Sequence, residues 1–172
     1  MQRLALFTLL LLIGAALAPA AAVAQAAPAA SATCNFNDQK QLVVEYQPVT
    51  VNLKKPLATQ VPMGRVWAPG GKSMTLFTNT PVQIGSHELA VGAYTMFVLP
   101  TPKQWTLIVS KSTDTSGAYD EKDDLARVTM DSGELPTPEP TLNLSFAHAA
   151  PNQCNIRIDL DKYGRFVAFM AK

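Results

Sequence analysis

The stretch GRVWAPGGKSMTLFTNTPVQIGSHELAVGAYTMFVLP, residues 64–100, alternates turn residues with short apolar runs so densely that it predicts two β-hairpins. Gly85-Ser86 separates two of these runs, and a glycine at the first position of a two-residue loop favours a type II′ hairpin turn. Residues 93–99 are apolar on both alternating faces, with one exception, as expected of a central strand that is covered on both sides. Pro100 ends this strand because proline has no N–H to donate to a ladder.

Alternating apolar residues predict further strands on both sides of this stretch, at residues 42–46, 49–53, 74–78, 105–110, 125–130, 142–146 and 156–160. Residues 161–164 predict a turn that joins the last of these to a final strand at 165–170. Prolines at 136, 138 and 140 predict an extended connection. Because no window keeps a helical period for three turns, we predict an all-β antiparallel sandwich, jelly-roll-like or barrel-like, with about nine or ten strands and little or no helix.

The first residues have the pattern of an export signal. Arg3 is followed by an apolar run over 4–17 and by small residues that suit cleavage after Ala26. A signal anchor is the alternative, but the apolar run is shorter than the roughly 20 residues that a membrane span needs. We therefore predict a signal peptide at 1–26, a disordered leader at 27–33 and a single domain at 34–172.

The charge of the mature chain excludes one large class of partner. The full chain has 14 basic and 13 acidic side chains. Removal of Arg3 with the signal peptide leaves 13 of each, a formal net charge of zero. A neutral chain is not expected to bind nucleic acid, and the mature chain contains no second apolar run long enough to span a membrane. The predicted location is periplasmic or extracellular.

The two cysteines, Cys34 and Cys154, predict one disulfide, because an even cysteine count in an exported protein favours pairing. Two free thiols are one alternative. Lipidation of Cys34 is another, although Thr33 and the long Ala/Pro-rich gap before it argue against a lipoprotein signal. The predicted bond ties the start of the mature chain to a late strand.

Residues 42–130 resemble the exported bacterial proteins grouped as domain of unknown function 2911. The resemblance lies in Val44-Glu45-Tyr46-Gln47-Pro48, Gly64-Arg65-Val66-Trp67, Ile84-Gly85, Val91-Gly92-Ala93-Tyr94, Phe97-Val98-Leu99-Pro100, Trp105-Thr106-Leu107-Ile108 and Tyr119-Asp120. It implies an all-β domain in the cell envelope or outside the cell. It supplies no agreed activity and no catalytic residues.

One segment departs from this family pattern. After Trp67 the family usually has Arg-Thr-Gly-Ala-Asn, whereas this chain has Ala-Pro-Gly-Gly-Lys at 68–72. If the family's Arg and Asn form a polar site, it is lost here or rebuilt from Lys72 and Arg65. Trp67 lies just before this loop with those two cations nearby, so we predict ligand binding by Trp67, Arg65 and Lys72. The alternative is a tryptophan packed under its own loop.

Catalytic and metal motifs are sparse. His87 and His148 are the only histidines, and zinc requires three or four ligands, so neither a metal nor a cofactor is predicted. The acidic residues 114–124 lack the spacing of a calcium loop. The prediction is a non-enzymatic binding or structural module of the envelope, with an unknown ligand or protein partner. The alternative is an envelope hydrolase that uses His87 or His148 with acidic partners, which requires a histidine bonded to a carboxylate in a pocket.

Overall fold

The computed structural model describes residues 28–172, so the predicted signal peptide at 1–26 lies outside the described residues. The described chain has no α-helix, three short 3-10 turns (Leu57–Thr59, Pro69–Gly71 and Glu121–Asp123) and ten strands. In chain order the strands are β1 (Ala30–Asn35), β2 (Gln41–Tyr46), β3 (Met74–Thr78), β4 (Val82–Ile84), β5 (His87–Leu89), β6 (Gly92–Pro100), β7 (Trp105–Ser110), β8 (Asp124–Thr129), β9 (Asp131–Ala150) and β10 (Gln153–Ala171). The all-β prediction is confirmed.

The strands form two antiparallel sheets. The larger sheet has the order β1-β2-β3-β6-β7-β8, and the smaller has the order β5-β4-β10-β9. The predicted central strand is confirmed, because β6 lies between β3 and β7 and ends at Pro100. The hairpin at Gly85-Ser86 is also confirmed: Ile84 pairs with His87, and Gly85 has a φ of 57°, which the first position of a primed turn requires.

The core lies between the sheets and takes alternate residues from every central strand. The larger sheet contributes Leu42, Val44, Met74, Leu76, Met96, Val98, Leu107 and Val109, all with 0% exposure. The smaller contributes Val82, Ile84, Ile156, Ile158, Leu160 and Phe169, also with 0% exposure. Each large apolar side chain buried in this way stabilises the fold by roughly 1.5 to 3 kcal/mol. The two sheets therefore share one hydrophobic core.

The predicted final hairpin is wrong. Residues 161–164 lie inside β10, which pairs with β9 from Gln153 to Phe166, and the three prolines of the predicted connection lie inside β9. Asp161 has a φ of 55° and lies at a bulge: it pairs with Glu139, and Tyr163 pairs with Glu134, so the extra residues of the bulge are in β9. After the positive φ at Asp161, the buried positions of β10 change from even numbers, up to Leu160, to odd numbers, from Arg165. Arg165 consequently faces the core, on the side of Leu160 and Phe169.

Two other segments differ from the expectations. Residues 30–33, expected in a disordered leader, belong to β1 and pair with β2 from Ala30 opposite Tyr46. Residues 49–53, expected as a strand, form only an isolated bridge between Thr50 and Thr141. That bridge is still well bonded, since the backbone N of Val51 donates to the oxygen of Pro140 at 2.8 Å.

The predicted disulfide between Cys34 and Cys154 is present. It joins β1 of the larger sheet to β10 of the smaller, with the two Cα atoms 6.4 Å apart, and both cysteines are buried. The bond therefore links the two layers directly. Residues 28–172 include no helix with the length and apolar character needed to cross a membrane.

A polar cluster of Tyr119, Asp124 and Arg127 connects the loop 111–123 to the outer face of the larger sheet. The ring of Tyr119 packs edge-on against Phe97, with ring centroids 5.2 Å apart. Its hydroxyl donates to Asp124 Oδ2 at 2.7 Å, and the same oxygen accepts from Nε of Arg127 at 2.6 Å. Arg127 also contacts the Tyr119 hydroxyl. Burial, followed by the bond to Asp124, raises the pKa of Tyr119 to about 12.

This pKa predicts a pH dependence of stability. An unfolded tyrosine ionises near pH 10, whereas folded Tyr119 keeps its proton to about pH 12. The stabilisation of the folded state by protonated Tyr119 is therefore complete below about pH 10 and decreases as the pH rises towards 12. The excess stability of the wild type over Tyr119→Phe, measured by urea unfolding, is expected to be constant up to about pH 10 and to shrink above it. A difference that does not change between pH 9 and 12 would contradict the assigned bond.

Candidate functional site

A small cavity opens at one end of the sandwich, beside the paired strands β9 and β10. There Tyr163, Gly164 and Arg165 of β10 lie opposite Glu134, Gly133 and Ser132 of β9. The bulge at Asp161 turns the side chains of Tyr163 and Arg165 inward, and these two residues share a face because they are two apart in a strand. The strand pair therefore places a cation beside an aromatic ring at the cavity.

Arg165 is the unusual residue of this site. It is 4% exposed, and its guanidinium carbon lies 4.9 Å from the centre of the Tyr163 ring and 5.8 Å from that of Trp105. One terminal nitrogen donates to the backbone oxygen of Gly164 at 3.4 Å, whereas the buried Nε has no hydrogen-bond partner within residues 28–172.

The charge of Arg165 is also uncompensated. Among residues 28–172 no carboxylate forms an ion pair with it, while the half-exposed Arg157 pairs with Asp159 at 3.3 Å. Burial lowers the pKa of Arg165, although arginine stays protonated at any physiological pH. The two aromatic rings supply cation–π attraction, worth about 0.5 to 2 kcal/mol each. A buried N–H without a partner costs about 1 to 3 kcal/mol, which offsets much of this gain.

The cavity beside Arg165 has a volume of about 220 Å³ and is lined by Lys103, Ser132, Gly133, Glu134, Tyr163 and Arg165. Lys103 and Glu134 are exposed at its rim, and Arg165 is its buried charged group. Guanidinium groups bind carboxylate and phosphate through two parallel N–H donors. The site is therefore chemically suited to an anionic group with planar or forked oxygens, close to an aromatic ring.

Tyr163 also borders a second cavity of about 240 Å³. This neighbour is lined by Pro56, Leu57, Ala58, Met63, Pro102, Asp161, Lys162 and Tyr163. Most of these residues are apolar or proline, in contrast to the charged cavity at Arg165. Nζ of Lys162 lies 5.5 Å from the centre of the Tyr163 ring. Tyr163 thus separates a polar compartment from a more apolar one.

The three predicted ligand-binding residues are placed differently from one another. Trp67 is half-buried, bridges to Val98 of β6, and packs edge-on against Trp105 at 6.4 Å between ring centroids. It therefore belongs to the aromatic layer beneath Arg165. Arg65 is exposed. Lys72 is exposed and lines another cavity, of about 160 Å³, with Ala29, Glu45, Tyr46, Gln47, Ser73, Thr75 and Thr115.

The two histidines lie apart from acidic groups. No hydrogen bond or ion pair joins either His87 or His148 to a carboxylate in the described part of the chain. His148 instead contacts Cys154, with its Nδ1 3.6 Å from Sγ.

The family described as "Protein of unknown function (DUF2911)" matches residues 27–168. The chain belongs to this family. No curated protein and no solved structure matches it. The resemblance noted over residues 42–130 is thus confirmed and extends to β9 and most of β10, the strands that carry Tyr163 and Arg165. The family description assigns no activity, so the function of this DUF2911 protein has to be argued from its own site.

The sequence of this DUF2911 protein does not predict a role for Arg165. The turn predicted at 161–164 places Arg165 at the start of the final strand. The local sequence around Arg165 contains the one pattern that points to it. Tyr163 and Arg165 are two residues apart and flank a glycine, directly before the apolar run 166–170. With the bulge in place, that spacing puts both side chains on the core face.

Proposed function

We propose that this protein is an exported, non-enzymatic binding module of the cell envelope that holds an anionic ligand at Arg165. The observation that carries the proposal is a buried guanidinium that has no carboxylate partner among residues 28–172 and lies at the wall of a cavity. Buried polar groups normally have partners, and an exception invites a functional explanation. A carboxylate in the cavity supplies the missing counter-charge.

Export is supported by two features. The residues up to Ala26 have the composition of a signal peptide, and the disulfide is typical of an oxidising compartment. In the envelope, carboxylates occur on acidic sugars and on peptide C-termini. A cavity of about 220 Å³ is below the usual size of sites for drug-sized ligands, so it accommodates one sugar ring or one terminal residue.

The residues at the rim of the cavity further limit the chemical class of the ligand. Glu134 lines the cavity and accepts hydrogen bonds from hydroxyl or amide groups. A ligand that uses this acceptor therefore needs such a donor group in addition to its carboxylate. The exposed face of Tyr163 suits a ring or an acyl chain. We therefore expect a carboxylate joined to a polar ring or to a peptide unit, in preference to a simple ion such as acetate.

Thermal unfolding tests this proposal with matched pairs of compounds. The pairs are glucuronate and glucose, N-acetylmuramic acid and N-acetylglucosamine, and acetyl-dialanine and its amide. At about a hundred times its Kd a ligand adds about 2.7 kcal/mol, which shifts the midpoint by roughly 5 to 10 °C. The charged member of at least one pair is expected to produce this shift, and its neutral partner is not.

Variants then locate the site. Arg165→Met is expected to lose the shift, while Arg65→Met and Lys72→Met keep it. Loss of the shift in Arg65→Met or Lys72→Met, with Arg165→Met unaffected, would instead assign binding to the loop after Trp67. If no charged compound shifts the midpoint, the carboxylate proposal fails, and a structural role in the envelope becomes the better account.

A further inference from the structure

A cluster of two cysteines and a histidine lies away from the Arg165 cavity, where β1 meets the β9 and β10 pair. Cys154 of β10 pairs with His148 of β9, and the disulfide brings Cys34 of β1 to the same point. Sγ of Cys154 lies 3.6 Å from Nδ1 and 3.9 Å from Nε2 of His148. One ligand atom from each of the three residues lies within 4.8 Å of the other two.

We propose that reduction of this disulfide creates a binding site for a thiophilic divalent metal, with Zn²⁺ as the best fit. The ligands are Sγ of Cys34, Sγ of Cys154 and one ring nitrogen of His148. Within residues 28–172 this is the only group of three such side chains close enough to share an ion. The proposal does not depend on ligand binding at Arg165.

The distances fit a zinc site. Zinc lies about 2.3 Å from sulfur and about 2.0 to 2.1 Å from nitrogen in a tetrahedron, so a sulfur and a nitrogen bound to one ion are about 3.5 Å apart. The observed 3.6 Å between Sγ of Cys154 and Nδ1 of His148 matches this separation. The two sulfurs, once the bond between them is broken, need to separate to about 3.8 Å, which a change in side-chain torsion allows.

The burial of the two cysteines and the net charge of the metal complex both favour Zn²⁺. Both cysteines are at most 1% exposed, whereas His148 is exposed and separates them from solvent. Zn²⁺ with two thiolates and a neutral imidazole has no net charge, so a mostly buried site does not hold an uncompensated charge. The fourth position of the tetrahedron is left for a water molecule on the open side of His148.

The proposed reaction has two steps. The disulfide is reduced by two electrons, and Zn²⁺ then replaces the protons of the two thiols. A dithiol reductant supplies two electrons and two protons: its own sulfurs become a disulfide, the bond between Cys34 and Cys154 breaks, and two thiols form. Zn²⁺ then displaces the two thiol protons to solvent and binds the thiolates. Bound zinc removes the free thiolates that re-formation of the disulfide requires, so metal binding and oxidation exclude each other.

The test is a titration with Co²⁺ and Zn²⁺ before and after reduction. The protein is reduced with a phosphine, freed of reductant without oxygen, and titrated with Co²⁺. The reduced protein is expected to bind one equivalent, with thiolate charge-transfer and tetrahedral ligand-field bands that Zn²⁺ abolishes. The oxidised protein is expected to show neither band. His148→Ala is expected to weaken binding at least 10-fold, whereas His87→Ala, which alters the other histidine, leaves it unchanged.

Stability supplies a second measurement in case reduction unfolds the chain. Zinc at about a hundred times its Kd is expected to raise the unfolding midpoint of the reduced protein by roughly 5 to 10 °C, or to restore the β-sheet circular dichroism if reduction abolishes it. The oxidised protein is expected to show no such shift. Absence of both cobalt bands and zinc stabilisation in the reduced protein would overturn the proposal, as would equal binding by wild type and His148→Ala.

Discussion

Replacing Cys34 and Cys154 together with alanine is expected to lower the free energy of unfolding by about 4 to 5 kcal/mol. The bond spans 120 residues, so in the chain-entropy model it removes a large number of unfolded conformations. It also joins β1 to β10, whose strands belong to different sheets and share no ladder. Such a loss is a large part of the stability of a single domain.

Urea unfolding of the double variant and of the oxidised wild type measures this effect. The reduced wild type in metal-free buffer provides the matched control, because it lacks the same bond but keeps both sulfur atoms. We expect the double variant and the reduced wild type to have unfolding free energies within about 1 kcal/mol of each other. A loss below about 1 kcal/mol in both would show that the bond hardly constrains the unfolded chain.

Arg165→Met is expected to raise the free energy of unfolding by about 1 to 2 kcal/mol while it removes ligand binding. Methionine fills similar space between Tyr163 and Trp105 without a charge or an unsatisfied Nε. The gain is limited because both cation–π contacts are lost. Most substitutions in a buried position destabilise a protein, so stabilisation here is a distinctive outcome. It would mark Arg165 as a residue that function retains at the expense of stability.

Arg157→Met is the matched control for this substitution. Arg157 is in the same strand, but it is half-exposed and pairs with Asp159. Its replacement is expected to change stability by less than about 1 kcal/mol and to leave ligand binding intact. Urea unfolding compares the three proteins. If Arg165→Met destabilises the protein by more than about 2 kcal/mol, Arg165 is a packing residue and its missing partner has no functional meaning.

The fold was predictable to a large extent because strand signals are local. The alternating apolar residues of β2 and β3 are buried on one face, and Gly85-Ser86 forms the expected hairpin. The disulfide followed from the cysteine count and the export signal. Local signals were not sufficient for 49–53, because pairing there depends on the position of β9.

The candidate site was less predictable because it depends on a single backbone irregularity. Asp161 followed by Lys162, Tyr163 and Gly164 has the composition of a hairpin turn, yet Asp161 adopts its positive φ within a continuous strand. That bulge determines which side of the sheet receives Arg165. Trp67, predicted to bind a ligand, packs against Trp105 beneath Arg165, but the cation itself comes from β10, more than 90 residues later in the sequence.

The most direct test of the account is an NMR titration of the Arg165 Nε–H group. Its resonance is assigned because it is absent from the spectrum of Arg165→Met. Glucuronate, acetyl-dialanine and inorganic phosphate are then added in turn. We expect at least one of the two carboxylates to shift this resonance saturably, as its charge binds beside the guanidinium, while the resonances of Arg65 and Arg157 remain in place. An Arg165 resonance that does not move with any of the three anions would contradict the proposed binding function.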